Sequence, residues 1–207
     1  MASADALIGQ LLAESAEAGM RPFERTTRIE EPGEQPVVRV DRFDPQAAED
    51  ERWSLISING QPPDDKQRKS HRKDMEKQPV PGFYRLHLLL AGEPQIRREN
   101  GQTIYHWPRL QKGALGMKGP DISARLAADV FVTEVNGRPT ITRLRIHAPE
   151  PFSVMAVAKF RSFDAISTYR PDASGAPVMV SQTTTTDTNI PFRASGVTRT
   201  EAHFRHY

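Results

Sequence analysis

The 207-residue sequence contains no cysteine, which excludes disulfides, thiolate metal sites and cysteine nucleophiles. Aromatic residues make up only 7% of the chain and leave little surface on which nucleic-acid bases could stack. The charges nearly balance, with 28 basic and 26 acidic residues, whereas proteins that wrap duplex nucleic acid usually carry a clustered basic excess. We therefore expect no nucleic-acid partner.

Long apolar runs are also missing. No run approaches the ~20 residues that span a bilayer, so the sequence predicts no transmembrane segment. The first residues have neither a basic region nor an apolar stretch of the kind found in signal peptides. Because a mature exported chain is expected to look the same, this end of the sequence leaves the compartment open.

Motifs that carry catalysis are absent from the sequence. It has no G-x-S-x-G elbow, no H-E-x-x-H pair and no Walker lysine, and the glycines at 113, 116 and 119 do not form the dinucleotide-binding pattern. The six histidines are scattered, and His203 and His206 would point to opposite faces of one strand. We therefore expect a non-catalytic protein with no catalytic residues, no cofactor and no metal.

Apolar residues at the start of the chain recur at the spacing of an amphipathic helix. They are Ala4, Leu7, Ile8, Leu11 and Leu12. Ser3 is placed to cap this helix and Gly19 to end it, which predicts an N-terminal helix over residues 3–18. Extended segments are predicted around Phe23–Ile29, Val37–Phe43 and Trp53–Ile58, the last followed by the hairpin pair Asn59-Gly60.

Residues 62–90 are predicted to form a polar helical insert. Asp64–Gln78 begins with acids and continues with Lys and Arg, and Met75 is its only large apolar residue. Such a helix cannot bury a face, so we expect it to be exposed, mobile or covering an opening. Phe83–Leu90 contains enough leucine to dock on a core. A turn-rich stretch is predicted from Gly92 to Pro120.

Residues 127–207 have the pattern of a β-meander with one solvated face. The candidate strands are Ala128–Val132, Ile141–Ile146, Phe152–Phe160, Ala165–Tyr169, Val178–Thr186 and Val197–Tyr207. Together with the helices, this pattern predicts a single α+β domain over residues 1–207.

One apolar row stands out within this meander. It consists of Phe152, Val154, Ala156, Ala158 and Phe160. Small residues between two aromatic residues leave volume that must be filled, because protein interiors are close-packed. Either the N-terminal helix fills this volume, or a ligand cavity lies between sheet and helices. The residues alone leave both possibilities open.

Four stretches, taken in order and spacing, resemble a known group of proteins. They are WSLISINGQPP (Trp53–Pro63), GPDISARLAADVFV (Gly119–Val132), RIHAPEPFSVMAVAKF (Arg145–Phe160) and TRTEAHFRHY (Thr198–Tyr207). From about Arg52 to Tyr207 the chain resembles uncharacterised proteobacterial envelope proteins with the LolA-like fold, which is the fold of the periplasmic lipoprotein carrier.

The resemblance implies a curved antiparallel incomplete β-barrel with helices on or near its concave side and an apolar cavity for acyl chains. It also implies a periplasmic location and a hydrophobic small molecule or lipid as partner. Trp53 and Leu55, with the row from Phe152 to Phe160, are the ligand-binding residues it suggests. The polar helix departs from the lipoprotein carrier, so the expectation is a binding or carrier domain for a hydrophobic ligand. The alternative is a cell-envelope protein-interaction module with a filled core and no ligand.

Overall fold

The computed structural model describes residues 4–116, 120–155, 158–189 and 195–207. Within these ranges it contains three α-helices, which are α1 (Ala4–Glu17), α2 (Asp65–Met75) and α3 (Leu86–Leu89), and two 3-10 helices at Phe83–Arg85 and Ser123–Arg125. The strands are β1 (Phe23–Glu30), β2 (Val37–Phe43), β3 (Trp53–Ile58), β4 (Gln95–Glu99), β5 (Gln102–Trp107), β6 (Ala127–Val135), β7 (Arg138–His147), β8 (Phe152–Val154), β9 (Ala158–Pro171), β10 (Pro177–Asn189) and β11 (Gly196–His206).

All eleven strands belong to one antiparallel sheet with the order β3-β2-β1-β11-β10-β9-β7-β6-β5-β4, and β8 pairs with β9 beside this path. In the described part of the chain the sheet is not closed, since β3 and β4 form its two edges. The mostly antiparallel sheet and the three helices agree with the α+β class and are consistent with a curved sheet. β1 and β11 lie side by side, so the two ends of the strand sequence meet inside the sheet.

Asn-Gly pairs form tight turns between β4 and β5 and between β6 and β7, and a third follows β3, where Ile58 and Gln61 form an isolated bridge. Asn100 and Gly101, like Asn59-Gly60 and Asn136-Gly137, all have positive φ angles, which two-residue hairpin turns of this kind require. The Asn100-Gly101 turn joins β4 to β5. The predicted turn-rich stretch from Gly92 to Pro120 therefore contains a hairpin that the sequence analysis did not identify.

The predicted single strand Phe152–Phe160 is wrong, because the chain reverses within it. Met155 has a φ of 51°, and β8 and the start of β9 pair as a hairpin in which Phe152 faces Phe160 and Val154 faces Ala158. The Phe152 and Phe160 rings stack with their centroids 4.8 Å apart. Alternation alone did not reveal the reversal, since a strand and a pair of short strands can both carry apolar residues at every second position. Beyond the hairpin, β9 continues through the predicted strand Ala165–Tyr169.

The N-terminal helix forms where the apolar spacing predicted it. Ile8 and Leu11 of α1 are buried in the core, and Gly19 follows the helix with a φ of 62°. Its predicted cap, Ser3, lies outside the described residues. The Ser15 hydroxyl accepts a hydrogen bond of 3.0 Å from the backbone N–H of His87, which joins α1 to α3.

Helix α2 is the second correction to the sequence predictions. A capping box starts it, because the Asp64 side chain accepts from the Gln67 N–H and the Gln67 side chain accepts from the Asp64 N–H. The helix buries His71 and Met75, at 4% and 5% exposure. The expectation that it could bury no face is therefore wrong. A histidine supplies half of the buried face, and the apolar pattern gave no sign of it.

The buried residues of α1, of the Phe83–Leu90 segment and of the sheet form one hydrophobic cluster. Phe83 contacts Tyr169 of β9 edge to face, with ring centroids 5.8 Å apart. In the described part of the chain no helix combines the length and the apolar character needed to cross a bilayer.

Candidate ligand-binding site

A cavity of about 380 Å³ lies between the sheet and the helical segment that follows α2. Its volume is within the range of about 300–1,000 Å³ that is usual for small-molecule sites. Strands β7, β9 and β10 form one wall, residues 78–89 form another, and Arg25, Leu115 and Ile122 complete the lining. The apolar residues that line it are Pro79, Pro81, Leu89, Leu115, Ile122, Leu144, Ile146, Phe160, Phe163, Ala165 and Met179.

The strand register places the sheet residues of this wall side by side. Leu144 pairs with Ser167, and Ile146 pairs with Ala165. Residues directly opposite each other on antiparallel strands point to the same face, so all four side chains face the cavity. The alternation along β7 and β9 therefore builds this wall without any residue from a loop.

A second hollow of about 310 Å³ adjoins this cavity and is mostly apolar. It is lined by Gly113, Leu115, Gly116, Pro120, Asp121, Ile122, Val154, Ala158 and Phe160. Leu115, Ile122 and Phe160 border both spaces. The two spaces therefore lie next to each other, separated by these three side chains.

Hydrogen bonds of Asp121 hold the loop wall of the second hollow. Its carboxylate accepts from the Gly113 N–H at 2.8 Å and from the Ser123 hydroxyl at 2.6 Å. These bonds, those from Ser123 first, hold the pKa of Asp121 below its usual value. The Ser123 hydroxyl also accepts from the Leu115 N–H at 3.2 Å, so the loop residue that borders both spaces is fixed in place.

The lining of the main cavity changes character along β9. Phe163 and Ala165 are followed by Ser167 and Tyr169, so the wall turns from apolar to polar towards the C-terminal end of the strand. Gln182 of β10 donates a 3.2 Å hydrogen bond to the Ser167 hydroxyl. Burial raises the pKa of Tyr169, although a hydrogen bond with Ser167 and the charge of Arg85 act in the opposite direction. The Tyr169 phenol is therefore neutral at physiological pH.

Arg85 crosses from the helical segment to the loop at this cavity. Its guanidinium donates a 2.8 Å hydrogen bond to the carbonyl oxygen of Leu115. Burial lowers the pKa of Arg85, and the nearby phenols of Tyr84 and Tyr169 partly offset this effect. A guanidinium nevertheless stays protonated in proteins. The cavity therefore contains a permanent positive charge.

A buried charged network lies at the β1–β3 end of the sheet. Asp41, with no exposed surface, accepts from Arg25 at 2.9 and 2.6 Å and from the Nε2 atom of His71 at 2.9 Å. Burial would raise the pKa of Asp41, but the hydrogen bonds from His71 and Arg25 together bring it below its usual value. Arg25 also lies over the Trp53 ring, 4.8 Å from its centroid, and donates to the Met75 sulfur. The network thus holds α2 on β2 and β3.

A second polar cluster occupies the opposite face of the sheet. Asp129 lies between Ala128 and Val130, which are buried in the core, so its side chain points away from the cavity. It accepts a 2.8 Å hydrogen bond from the Nδ1 atom of His106 and a 3.1 Å bond from Arg97. Among the described residues no group of three histidine or acidic side chains could hold a metal ion.

The structure brings together some of the ligand-binding residues suggested by the sequence and separates others. Val154, Ala158 and Phe160 line the second hollow, and Phe160 also borders the main cavity. Phe152 stacks on Phe160, while Ala156 lies outside the described residues. Trp53 packs against Arg25, Phe23 and Phe43 at the other end of the sheet, and Leu55 lies on the edge strand β3.

Most residues that line the main cavity were not predicted from the sequence. The pattern of β7 and the predicted strand Ala165–Tyr169 already contained Leu144, Ile146, Ala165 and Ser167, but their pairing could not be read from the sequence. Arg85 gave no signal, since a single arginine in a leucine-rich segment looks like an exposed charge.

Comparison of the chain with protein-family models, with curated proteins and with solved structures gives no significant match.

Proposed function

We propose that the protein is a non-catalytic binding or carrier domain for a hydrophobic ligand, such as a lipid or an acyl group. The observation that carries this proposal is the largely apolar cavity of about 380 Å³ between the sheet and residues 78–89. Empty apolar volume of this size is costly in a close-packed interior, and a ligand that fills it regains the lost contacts. The adjoining hollow at β8 and β9 extends the apolar surface beyond Leu115, Ile122 and Phe160.

The proposal includes the finer shape expected from the LolA-like resemblance. The sheet would curve into an incomplete barrel, with the helical segment on its concave side and the cavity between them. A periplasmic location also follows from that resemblance. The polar residues in the described lining of the main cavity are Arg25, Gln78, Arg85, Ser167, Tyr169, Gln182 and Thr184. Since none of these is a histidine or an acid, this lining offers no conventional general base, which supports binding rather than catalysis.

A pair of alanine substitutions tests the ligand cavity. Ala165 lines it, whereas Ala202 is a buried residue of β11 outside the described lining. We expect Ala165→Phe to occupy free volume, to keep the melting temperature and to weaken binding of a fluorescent fatty-acid probe about tenfold. Ala202→Phe should instead overpack the core and cost about 1–3 kcal/mol of stability, while the protein that stays folded binds the probe normally. Unchanged probe affinity with a sharply lower melting temperature in Ala165→Phe would reject the ligand cavity.

The alternative is an envelope interaction module that recognises a protein through a sheet edge. The observation in its favour is β4, an edge strand whose five residues are all exposed, including Ile96 at 37%. Arg97, Arg98 and Glu99 put charges on this edge, and such charges usually prevent strand addition. A native mass spectrum separates the two proposals. Bound lipid supports the carrier, and a bare chain mass together with no probe binding supports the module.

A further inference from the structure

Two arginines, Arg25 and Arg85, line the main cavity. The structure shows an acidic partner for the first and none among the described residues for the second. Arg25 forms a two-bond ion pair with Asp41, with its Nε atom 2.9 Å from one carboxylate oxygen and a terminal nitrogen 2.6 Å from the other. Arg85 donates only to the uncharged carbonyl of Leu115 in the described structure. No described carboxylate forms an ion pair with it, and the positions outside the described ranges contain no Asp or Glu.

An unpaired cation in a partly desolvated cavity is costly, because a charge that leaves water loses solvation that only an opposite charge or strong hydrogen bonds can replace. The guanidinium of Arg85 has several N–H donors, and one bond to a carbonyl uses a small part of them. Its planar fork matches the two oxygens of a carboxylate or of a phosphate. An anion bound beside Arg85 would therefore neutralise the unpaired charge in the cavity.

Neighbouring groups around this charge could also serve an anion. Tyr169 lies close enough for the charge of Arg85 to affect its pKa, and its neutral hydroxyl can donate a hydrogen bond. Ser167 and Thr184 add hydroxyls to the same lining. In the same lining, Ile122, Phe160 and Phe163 give an apolar surface. The cavity thus combines a positively charged polar group with an apolar surface.

We propose that the ligand carries an anionic headgroup, a carboxylate or a phosphate, which pairs with Arg85 while the acyl chain lies along the apolar wall of β7 and β9. This inference rests on the proposed ligand-binding function and narrows its substrate class. The headgroup would occupy the part of the cavity bordered by Arg85, Ser167 and Tyr169. The chain would extend past Phe160 towards the second hollow.

The test compares ligands that differ only in charge. Palmitic acid and methyl palmitate displace an uncharged naphthalene probe from the full-length protein, and a lysophosphatidic acid of the same chain length represents the phosphate headgroup. We expect the wild-type protein to bind the acid or the phosphate about tenfold more tightly than the ester. Tighter binding of the acid would identify a carboxylate as the headgroup, and tighter binding of the phosphate would identify a phosphate.

Variants of Arg85 test whether this residue causes the preference for an anionic ligand over the ester. Arg85→Gln keeps a donor for the Leu115 carbonyl but removes the charge, so the ratio of ester to anion dissociation constants should fall from about ten to about one. Arg85→Lys keeps the charge and should keep a preference for the anion. This variant therefore shows whether a loss in Arg85→Gln comes from the missing charge or from misfolding. Arg109→Gln removes an exposed arginine and should leave the ratio unchanged.

Two results would overturn the headgroup assignment. One is equal affinity of the wild-type protein for acid, phosphate and ester. The other is an anion preference that survives in folded Arg85→Gln. In both cases bound probe would leave the proposed ligand-binding function standing. Failure of the wild-type protein to bind probe or any ligand would instead reject that function and, with it, the headgroup.

Discussion

The two ends of the contact between helices and sheet are built differently. At the β1–β3 end, α2 lies directly on the sheet, and Arg25, Asp41 and His71 satisfy one another in a buried network. At β7, β9 and β10, residues 78–89 leave a cavity of about 380 Å³, and Arg85 has no described acidic partner. Arg25, which also borders the cavity, is neutralised by Asp41, whereas the charge of Arg85 has no opposite charge among the described residues. Under the proposed function, this difference separates the part of the molecule that stabilises the fold from the part that binds the ligand.

Aromatic packing strengthens the same contrast. Phe43 lies 5.5 Å from Phe23 and 5.0 Å from Trp53 between ring centroids, so the filled end holds three mutually contacting aromatic side chains. Aromatic pairs add about 0.5–1.5 kcal/mol beyond the area that they bury. Phe163, at the cavity, is only half-buried and borders open volume. The following predictions test whether stability is concentrated at the filled end.

The largest expected effect comes from breaking the buried ion pair. Asp41→Asn would leave Arg25 buried without an opposite charge, and we expect a loss of about 3–5 kcal/mol in the free energy of unfolding. Urea denaturation measures it. Glu30→Gln, which removes the half-exposed partner of Arg28, is the matched control and should cost at most about 1 kcal/mol. Similar losses in both variants would mean that the buried network does not hold α2.

A pair of phenylalanine truncations should give the next effect. Phe43→Ala removes a ring at 1% exposure from the filled end and should cost about 3–5 kcal/mol. Phe163→Ala should cost about 2 kcal/mol less, because its ring already borders unfilled volume and has fewer contacts to lose. Thermal and urea unfolding of the two variants measure the difference. Equal losses would show that the cavity region is packed as tightly as the filled end.

The smallest expected effect is confined to acidic pH. The pKa of Asp41 in the folded protein lies below its usual value, so its stabilising contribution is complete above the unfolded pKa of about 3.9 and is lost as the pH falls through the folded pKa. Asp41→Asn should therefore show a flatter decline of stability below about pH 4 than the wild-type protein. Urea unfolding at several pH values measures this slope. Parallel declines in the two proteins would contradict the assignment.

The features that could be predicted from the sequence are those set by local spacing. The helical spacing of Leu7, Ile8 and Leu11 predicted α1, and the Asn-Gly pairs at 59 and 136 marked tight turns. Alternation indicated most of the C-terminal strands. Each of these signals depends on residues a few positions apart, so a single sequence contains it completely.

The features that could not be predicted depend on partners distant in the sequence. His71 is buried because Asp41, thirty positions earlier, accepts its hydrogen bond, and no helical pattern contains that information. The cavity depends on the position of residues 78–89, which include Arg85, relative to β9 and to Leu115. The reversal at Met155 was missed for a different reason, since the same alternation fits one strand or two.

The position of β11 has a consequence for the order of folding. The strands β1 to β3 pair with the rest of the sheet through β11, and Phe23 of β1 lies opposite His206. Neighbouring strands from β4 to β11 are all closer to each other in the sequence than β1 is to β11. Pairing β1 with β11 brings together two segments near opposite ends of the chain. This costs conformational entropy before the new contacts form, and such non-local pairing slows folding. We therefore expect two separately collapsing strand groups, β1–β3 and β4–β11, and a late, rate-limiting step in which β1 pairs with β11.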